Sequence, residues 1–171
     1  MTPRLTLAAA FVLLLTPLSA SGQNPLVESL RWLFDRTSEN VMATAEMLDE
    51  QMYAYRPTDE VRSTGQILAH VAFSQYQFCA AAAGESNPNS ENFEETRTTK
   101  ATIVQALEAG FAYCAGVFDR TPDSGAARPV TFLGQNTTGG ILAFNSAHNY
   151  EHYGNLVTYM RLNGIVPPSS M

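Results

Sequence analysis

Four stretches after residue 24 carry apolar side chains at the spacing of an α-helix, and this periodicity constrains the fold more than any other feature. Residues on one helix face recur every three or four positions, whereas a half-buried strand alternates at every second position. Almost no part of this chain alternates in that way. We therefore predict an all-α fold, a four-helix bundle. The predicted helices cover residues 24–50, 63–83, 100–120 and 138–163.

Polar residues suited to capping stand where these helices begin. Asn24 can cap the first helix, with Pro25 in its first turn, and Thr138 can cap the last. Ser63 and Gln66 have the spacing of a capping box, in which each side chain bonds the backbone N–H of the other residue. The helix starts are therefore better defined by the sequence than most of the connections.

A polar connection over residues 84–99 joins the second and third predicted helices. It is longer than the two to eight residues usual between neighbouring helices of a bundle. In extended conformation it would span roughly 50 Å, which is enough to run the length of a bundle. Its length favours either a crossover that makes the second and third helices parallel or a functional loop.

The first 22 residues differ in character from the rest of the chain. Arg4 precedes an apolar run over residues 5–15, and Pro17 and a stretch of small residues follow it. These are the features of a secretory signal peptide, and the apolar run is about half of the ~20 residues that a membrane-spanning helix needs. We expect cleavage near residue 22, a mature domain over residues 24–168, and export to the periplasm or the extracellular space.

The charge of the chain argues against two classes of partner. Ten Lys and Arg residues against sixteen Asp and Glu residues give a formal net charge of −6, and the basic residues are scattered singly. Such a surface repels nucleic-acid phosphates and anionic lipid headgroups. We expect no nucleic-acid partner and no membrane association after signal cleavage. Homodimer formation is left open.

All three histidines of the chain lie on predicted helices, His70 on the second and His148 and His152 on the fourth. Residues four apart on a helix differ by about 40° in azimuth and ~6 Å in height, so His148 and His152 can reach one ion. Each histidine shares its face with apolar residues, which predicts that all three point into the bundle. A divalent ion would satisfy one nitrogen of each imidazole and leave a position for water or substrate. We predict a site for Zn²⁺, Ni²⁺ or Fe²⁺.

Two other interpretations of the histidines remain. A single buried histidine is more often a hydrogen-bonded core residue than a ligand. Residues 148–152 also spell H-x-x-E-H, the inverted zincin pattern of some metalloproteases. Only 19 residues follow His152, too few to supply the downstream glutamate ligand and its supporting structure. The protease interpretation is therefore disfavoured.

Polar residues near the histidines on the helical wheel are candidates for supporting roles. Glu151 lies at the rim of the predicted site and is our candidate proton acceptor. Asn145, Asn155 and Tyr159 share the histidine stripe, so we predict that they hydrogen-bond the metal ligands.

The two cysteines are not predicted to bind metal. Cys79 is nine positions from His70, on the opposite face of the second helix, and Cys114 lies on the apolar stripe of the third. The opposed directions of the two side chains also argue against a disulfide, although export would permit one.

Three segments of the sequence resemble the DinB-like superfamily of four-helix metalloenzymes. They are residues 55–57 (YRP), residues 63–72 (STGQILAHVA) and residues 148–168, which begin HNYEH. The resemblance covers residues 25–168 and implies an up-down-down-up bundle in which the three histidines hold one divalent ion. Relatives of this kind include transferases that use low-molecular-weight thiols such as bacillithiol and mycothiol, and a thiol-dependent isomerase. The signal peptide departs from them, because cytosolic thiols are scarce outside the membrane.

We therefore expect an exported metal-dependent transferase or hydrolase that acts on a small molecule. The first alternative is a non-catalytic module, in which a metal joins the second and fourth helices or the pocket holds a ligand. The second alternative is an interaction protein that uses the acidic connection over residues 84–99. An open coordination position favours the enzyme, and a fourth protein ligand favours the binding module.

Overall fold

A computed structural model describes residues 24–171, and the predicted signal peptide lies outside the described residues. The described chain is mostly helical, which confirms the predicted helical fold. In chain order the helices are α1 (Pro25–Met47), α2 (Glu50–Ala54), α3 (Thr64–Ala83), α4 (Phe93–Thr96), α5 (Lys100–Asp119), α6 (Asp123–Ala126) and α7 (Thr138–Leu162), followed by a 3₁₀ turn over Pro168–Ser170.

The four long helices, α1, α3, α5 and α7, share one hydrophobic core. α3 packs against α5 and α7, and α1 packs against the same two helices. All four contribute fully buried side chains, among them Phe34, Leu68, Leu107 and Leu142. The first predicted helix is shorter than expected, because the chain leaves the helix at Leu48 and forms α2 separately.

Two contacts show the relative direction of α3 and α5. Gly65, at the start of α3, lies beside Ile103 near the start of α5, and Cys79 lies beside Cys114 towards the other ends. The two helices therefore run in the same direction. The connection over residues 84–99 returns the chain along the fold and carries α4 on its way.

α7 runs opposite to α3. His148 contacts His70, and Asn145, which precedes it by one turn, contacts Gln75 further along α3. At the beginning of α7, the Thr138 hydroxyl donates to the carbonyl oxygen of Ala82. The middle of α7 therefore faces the first half of α3, where both carry histidines.

The predicted capping box at the start of α3 is confirmed. Ser63 Oγ accepts from the Gln66 backbone N–H at 3.2 Å, and the Gln66 side chain accepts from the Ser63 backbone N–H at 2.9 Å. The cap of α7 was predicted one residue late. Thr137 caps this helix by accepting from the Gly140 N–H, and Thr138 is its first residue.

The cap of α1 comes from a distant part of the chain. Asn24 makes no side-chain hydrogen bond to the helix that it precedes, so the predicted cap is wrong. The Asp123 carboxylate of α6 accepts from the backbone N–H groups of Leu26 and Val27 at 3.0 and 2.8 Å. A carboxylate is a stronger acceptor than an amide and is favoured by the helix dipole.

A small β-hairpin, which the sequence analysis did not predict, precedes α7. Strands β1 (Pro129–Phe132) and β2 (Gln135–Thr137) are antiparallel. Leu133 and Gly134 form the turn with positive φ angles of 48° and 80°. Strands this short carry too few residues to show an alternating pattern.

One described helix, α5, is long and apolar enough to cross a membrane by length and composition alone. The core helix of a globular protein passes the same test. α5 packs against α1 and α3, and 44% of its apolar 18-residue stretch is buried.

Cys79 and Cys114 are joined in a disulfide, with a Cα–Cα distance of 5.3 Å, so the expectation that they would not pair is wrong. Cys79 does lie on the face of α3 opposite His70. That face is nevertheless buried, because α5 packs there while α7 packs on the histidine side. α3 is buried on two faces, so a cysteine opposite His70 still lies in the core, within reach of α5.

The close approach of α3 and α5 at Gly110 gives a test of this packing. A Cβ atom at Gly110 would lie 2.8 Å from the backbone oxygen of Ala72, whereas one at Gly116 would meet only Arg120 at 3.7 Å. We expect Gly110→Ala to lower the free energy of unfolding by about 1–3 kcal/mol. The control Gly116→Ala should raise it by up to about 1 kcal/mol through helix propensity. Urea unfolding measures both, and equal changes would contradict the described packing.

Candidate metal centre

The Nε2 atoms of the three histidines converge between α3 and α7, as the sequence analysis predicted. His148 Nε2 lies 3.2 Å from His70 Nε2 and 3.1 Å from His152 Nε2. An ion with Zn–N distances of ~2.05 Å and tetrahedral angles would hold its ligand nitrogens ~3.3 Å apart. One ring nitrogen of each of the three histidines lies within 4.8 Å of the other two, so the three imidazoles are close enough to bind one ion.

Helix geometry accounts for this convergence. His148 and His152 lie one turn apart on α7, and their ring centroids are 4.4 Å apart. His70 comes from α3, and its ring centroid is 5.1 Å from that of His148. The buried ring of Phe78 makes an edge-to-face contact with His148, with centroids 5.0 Å apart. Two helices thus supply all three rings.

Burial keeps two of the imidazoles neutral. It lowers the pKa of His148 from 6.5 to about 3, with a further contribution from the neighbouring histidines. Burial also lowers the pKa of His152 to about 4, with His70 as the next cause. Both rings are therefore unprotonated at one nitrogen at neutral pH, which is the form that binds metal ions.

A carboxylate that the sequence analysis missed is bonded to the third imidazole. Glu94 Oε1 lies 2.8 Å from His70 Nδ1. Arg62 donates two hydrogen bonds to the same carboxylate, at 2.8 and 3.2 Å. Burial alone would raise the pKa of Glu94, but the hydrogen bonds from Arg62 and His70 outweigh it and lower the pKa. Glu94 is therefore ionised at neutral pH.

No periodic pattern relates Glu94 to His70, since the two are separated by the connection between α3 and α5. The one available signal was Phe93, a large aromatic residue within a polar segment. Its ring is buried, and it anchors α4 beside α3.

The other two histidines lack such a partner. Nδ1 of His148 and Nδ1 of His152 are buried and have no hydrogen-bond partner within the described chain. Among residues 24–171, a carboxylate lies at the second nitrogen of His70 and of neither other histidine. The three rings are therefore not equivalent.

A cavity of about 530 Å³ borders the cluster at His152. Of the residues predicted to support the histidines, Asn155 and Tyr159 line this cavity. The Tyr159 hydroxyl donates to the Arg62 carbonyl oxygen at 3.0 Å. The remaining lining residues are Glu60, Val61, Arg62 and Ile67. A small molecule in this cavity would lie beside one of the three imidazoles.

Glu151 and Asn145 lie outside this cavity lining. Glu151 is exposed on α7 and forms no hydrogen bond or ion pair within residues 24–171. Asn145 is buried, and its amide group donates to Gln75 Oε1 at 2.9 Å and to Cys114 Sγ at 3.1 Å. These contacts place Asn145 beside the disulfide, without a hydrogen bond to a histidine.

A buried chain of amide hydrogen bonds continues from Asn145 across the core. Gln75 Nε2 donates to Asn149 Oδ1 at 2.8 Å, and Asn149 Nδ2 donates to Thr37 Oγ1 of α1 at 3.3 Å. All these side chains are fully buried. The network joins α1, α3 and α7 next to the histidine cluster. Its hydrogen bonds between helices form only when the three helices have this relative position.

The lowered pKa values of His148 and His152 predict how stability depends on pH. Below pH ~6.5, His148 and His152 become protonated in the unfolded chain. In the metal-free folded chain they become protonated only at about pH 4 and below. The free energy of unfolding should therefore fall as the pH falls through this window. We expect a smaller fall in the double variant His148→Gln/His152→Gln. Urea unfolding with a chelator, at about pH 7 and about pH 4.5, compares the two proteins. Parallel losses would contradict the buried neutral imidazoles.

Comparisons with known proteins identify the family. The family model of the DinB superfamily matches residues 33–156. The crystal structure of a DinB-like protein from Bacillus cereus ATCC 10987 is similar in fold, with a TM-score of 0.72 and 13% sequence identity over 82% of this chain and 95% of that chain. No curated protein sequence matches the chain. Because the family model covers well over half of the sequence, the chain belongs to the DinB superfamily.

Proposed function

We propose that the protein binds one divalent first-row metal ion through His70, His148 and His152, and that it is a metal-dependent transferase or hydrolase of a small molecule. The observation that carries this proposal is the convergence of the three Nε2 atoms at successive distances of 3.2 and 3.1 Å. Zn²⁺, Ni²⁺ and Fe²⁺ all accept nitrogen ligands of this kind.

The number of ligands supports an open site. Within residues 24–171, no fourth His, Cys, Asp or Glu joins the histidine cluster. Cys79 and Cys114 are paired with each other, and the Glu94 carboxylate is bonded to His70 and Arg62. When bound, a divalent ion with three neutral ligands supplies Lewis acidity and lowers the pKa of a coordinated water.

The cavity beside His152 supports a small-molecule substrate. Arg62, Asn155 and Tyr159 are polar residues of its lining, and Val61 and Ile67 are apolar ones. Such a mixture binds a compact molecule that is polar at one end. Glu151 stays our candidate proton acceptor as a prediction, and its exposed carboxylate would act from outside this cavity.

Topology and localisation are parts of the same proposal. The parallel pair α3 and α5 and the antiparallel pair α3 and α7 support an up-down-down-up bundle. Export to the periplasm or the extracellular space is supported by the disulfide, because disulfides persist mainly in oxidising compartments. The absence of nucleic-acid partners and of membrane association stays a prediction, supported by the net charge of −6.

Metal binding should require the histidines of α7. We expect the wild-type protein to hold one divalent ion per chain after reconstitution, and His148→Ala to lose stoichiometric binding because it removes the central ligand. The control Tyr150→Ala changes a side chain that is 43% exposed on the same helix, and it should bind normally. Elemental analysis gives the stoichiometry, and circular dichroism should show that both variants stay helical. Wild-type protein without metal after reconstitution would end the proposal.

An open coordination position should be visible in the spectrum of the Co²⁺ form. Three protein ligands leave at least one position to exogenous ligands, so the visible bands should shift when thiols, hydroxamates or phosphate are added. Titration of each compound into the Co²⁺ protein measures this shift. A spectrum indifferent to all three would indicate a closed site and favour the non-catalytic binding module.

A further inference from the structure

The short helix α4 connects the polar segment between α3 and α5 to the histidine cluster. Asn92 caps α4 by accepting from the Glu94 backbone N–H. The buried Phe93 ring packs against Phe73 and Tyr76 of α3, with centroids 6.0 and 6.1 Å away. Because Glu94 follows Phe93 directly, burial of this ring holds the carboxylate beside His70.

We infer that Glu94 is a positioning residue of the metal centre, which fixes the proton of His70 on Nδ1 and leaves the lone pair of Nε2 facing His148 and His152. This inference rests on the proposed function. A neutral imidazole carries one N–H, and an acceptor 2.8 Å from Nδ1 selects the tautomer with the proton on that atom. The same hydrogen bond orients the ring and makes Nε2 a better donor to a metal.

Arg62 holds Glu94 in this position. Its two hydrogen bonds reach both carboxylate oxygens, and its own backbone carbonyl accepts from the Tyr159 hydroxyl of α7. Glu94 is therefore held between the segment that precedes α3 and the histidine that it orients. The guanidinium of Arg62 holds Oε1 of Glu94, the oxygen that faces His70, by one of these hydrogen bonds and Oε2 by the other.

The contact is specific to one of the three ligands. Nδ1 of His148 and Nδ1 of His152 have no partner within the described chain, so Glu94 supports His70 alone. Removal of the carboxylate should therefore weaken metal binding without abolishing it, whereas removal of a histidine removes a ligand. This difference separates a positioning residue from a metal ligand.

The test compares Glu94→Ala, Glu94→Gln and Glu95→Ala for Zn²⁺ affinity, measured by competition with a chromophoric chelator. Loss of an outer partner of a histidine ligand weakens affinity by about 10- to 100-fold, which we expect for Glu94→Ala. Glu94→Gln keeps an oxygen acceptor but loses the charge, so its affinity should fall between those of wild type and Glu94→Ala. Glu95 is the matched control, because it is exposed on the same short helix, and Glu95→Ala should bind as wild type.

A second readout needs no metal. Nitrogen-15 NMR of the imidazoles in the metal-free protein should show the Nδ1–H tautomer of His70 in the wild type and in Glu95→Ala. Glu94→Ala should lose this preference. In Glu94→Ala, either a Zn²⁺ affinity equal to that of the wild type or an unchanged His70 tautomer would overturn the inference. If Glu94→Ala did not fold, a Zn²⁺ affinity of Glu94→Gln equal to that of the wild type would overturn it. Failure of the wild type to bind Zn²⁺ would instead overturn the proposed function, and the tautomer measurement would still decide the role of Glu94.

Discussion

The packing of α3 against both α5 and α7 is the contact on which the rest of this structure depends. α3 ends in a run of small residues over positions 79–83, and Gly110 of α5 comes close enough to the Ala72 backbone to exclude a methyl group. At the other face, the Thr138 hydroxyl bonds the carbonyl oxygen of Ala82 and holds α7 in register. This register brings His70 opposite His148. Without close packing on both faces of α3, the helices α3 and α7 could not place their three imidazoles within reach of one ion.

The polar groups near the histidine cluster are charged at its exposed edge and neutral in the core. The imidazoles of His148 and His152 are neutral because burial lowers their pKa values. The ionised Glu94 lies at the partly exposed edge of the site, where Arg62 compensates its charge. Deeper in the core, only amides and hydroxyls continue the hydrogen bonding towards α1. Because the hydrogen bonds from Gln75 to Asn149 and from Asn149 to Thr37 each join two different helices, they favour one arrangement of these helices over others. The histidine cluster therefore lies between a charged rim and a neutral polar interior.

Two predictions from the sequence, on the pairing of the cysteines and on the cap of α1, were wrong for the same reason. The prediction for the histidines of α7 did not depend on distant contacts. His148 and His152 are one turn apart, so the geometry of a single helix determines their pairing. Cys79 was judged by the same single-helix geometry, but its partner depended on which helix covers the second buried face of α3. The cap of α1 likewise comes from Asp123, 97 positions from the amide of Leu26. Contacts between distant segments leave no periodic signal in the sequence.

Local rules determined the helices, the capping box at Ser63 and the ligand pair of α7 from the sequence by itself, because each depends on residues within a few positions of one another. The pairing of His70 with that ligand pair was also within reach, since a buried imidazole on an apolar face needs a partner. Only the tertiary structure decided three contacts: the hydrogen bond between Glu94 and His70, the hydrogen bonds from Arg62 to Glu94, and the disulfide between the two cysteines. These contacts follow from where Phe93 anchors the long connection and from the two-sided burial of α3, which depend on the free energy of packing the whole chain and not on any local pattern.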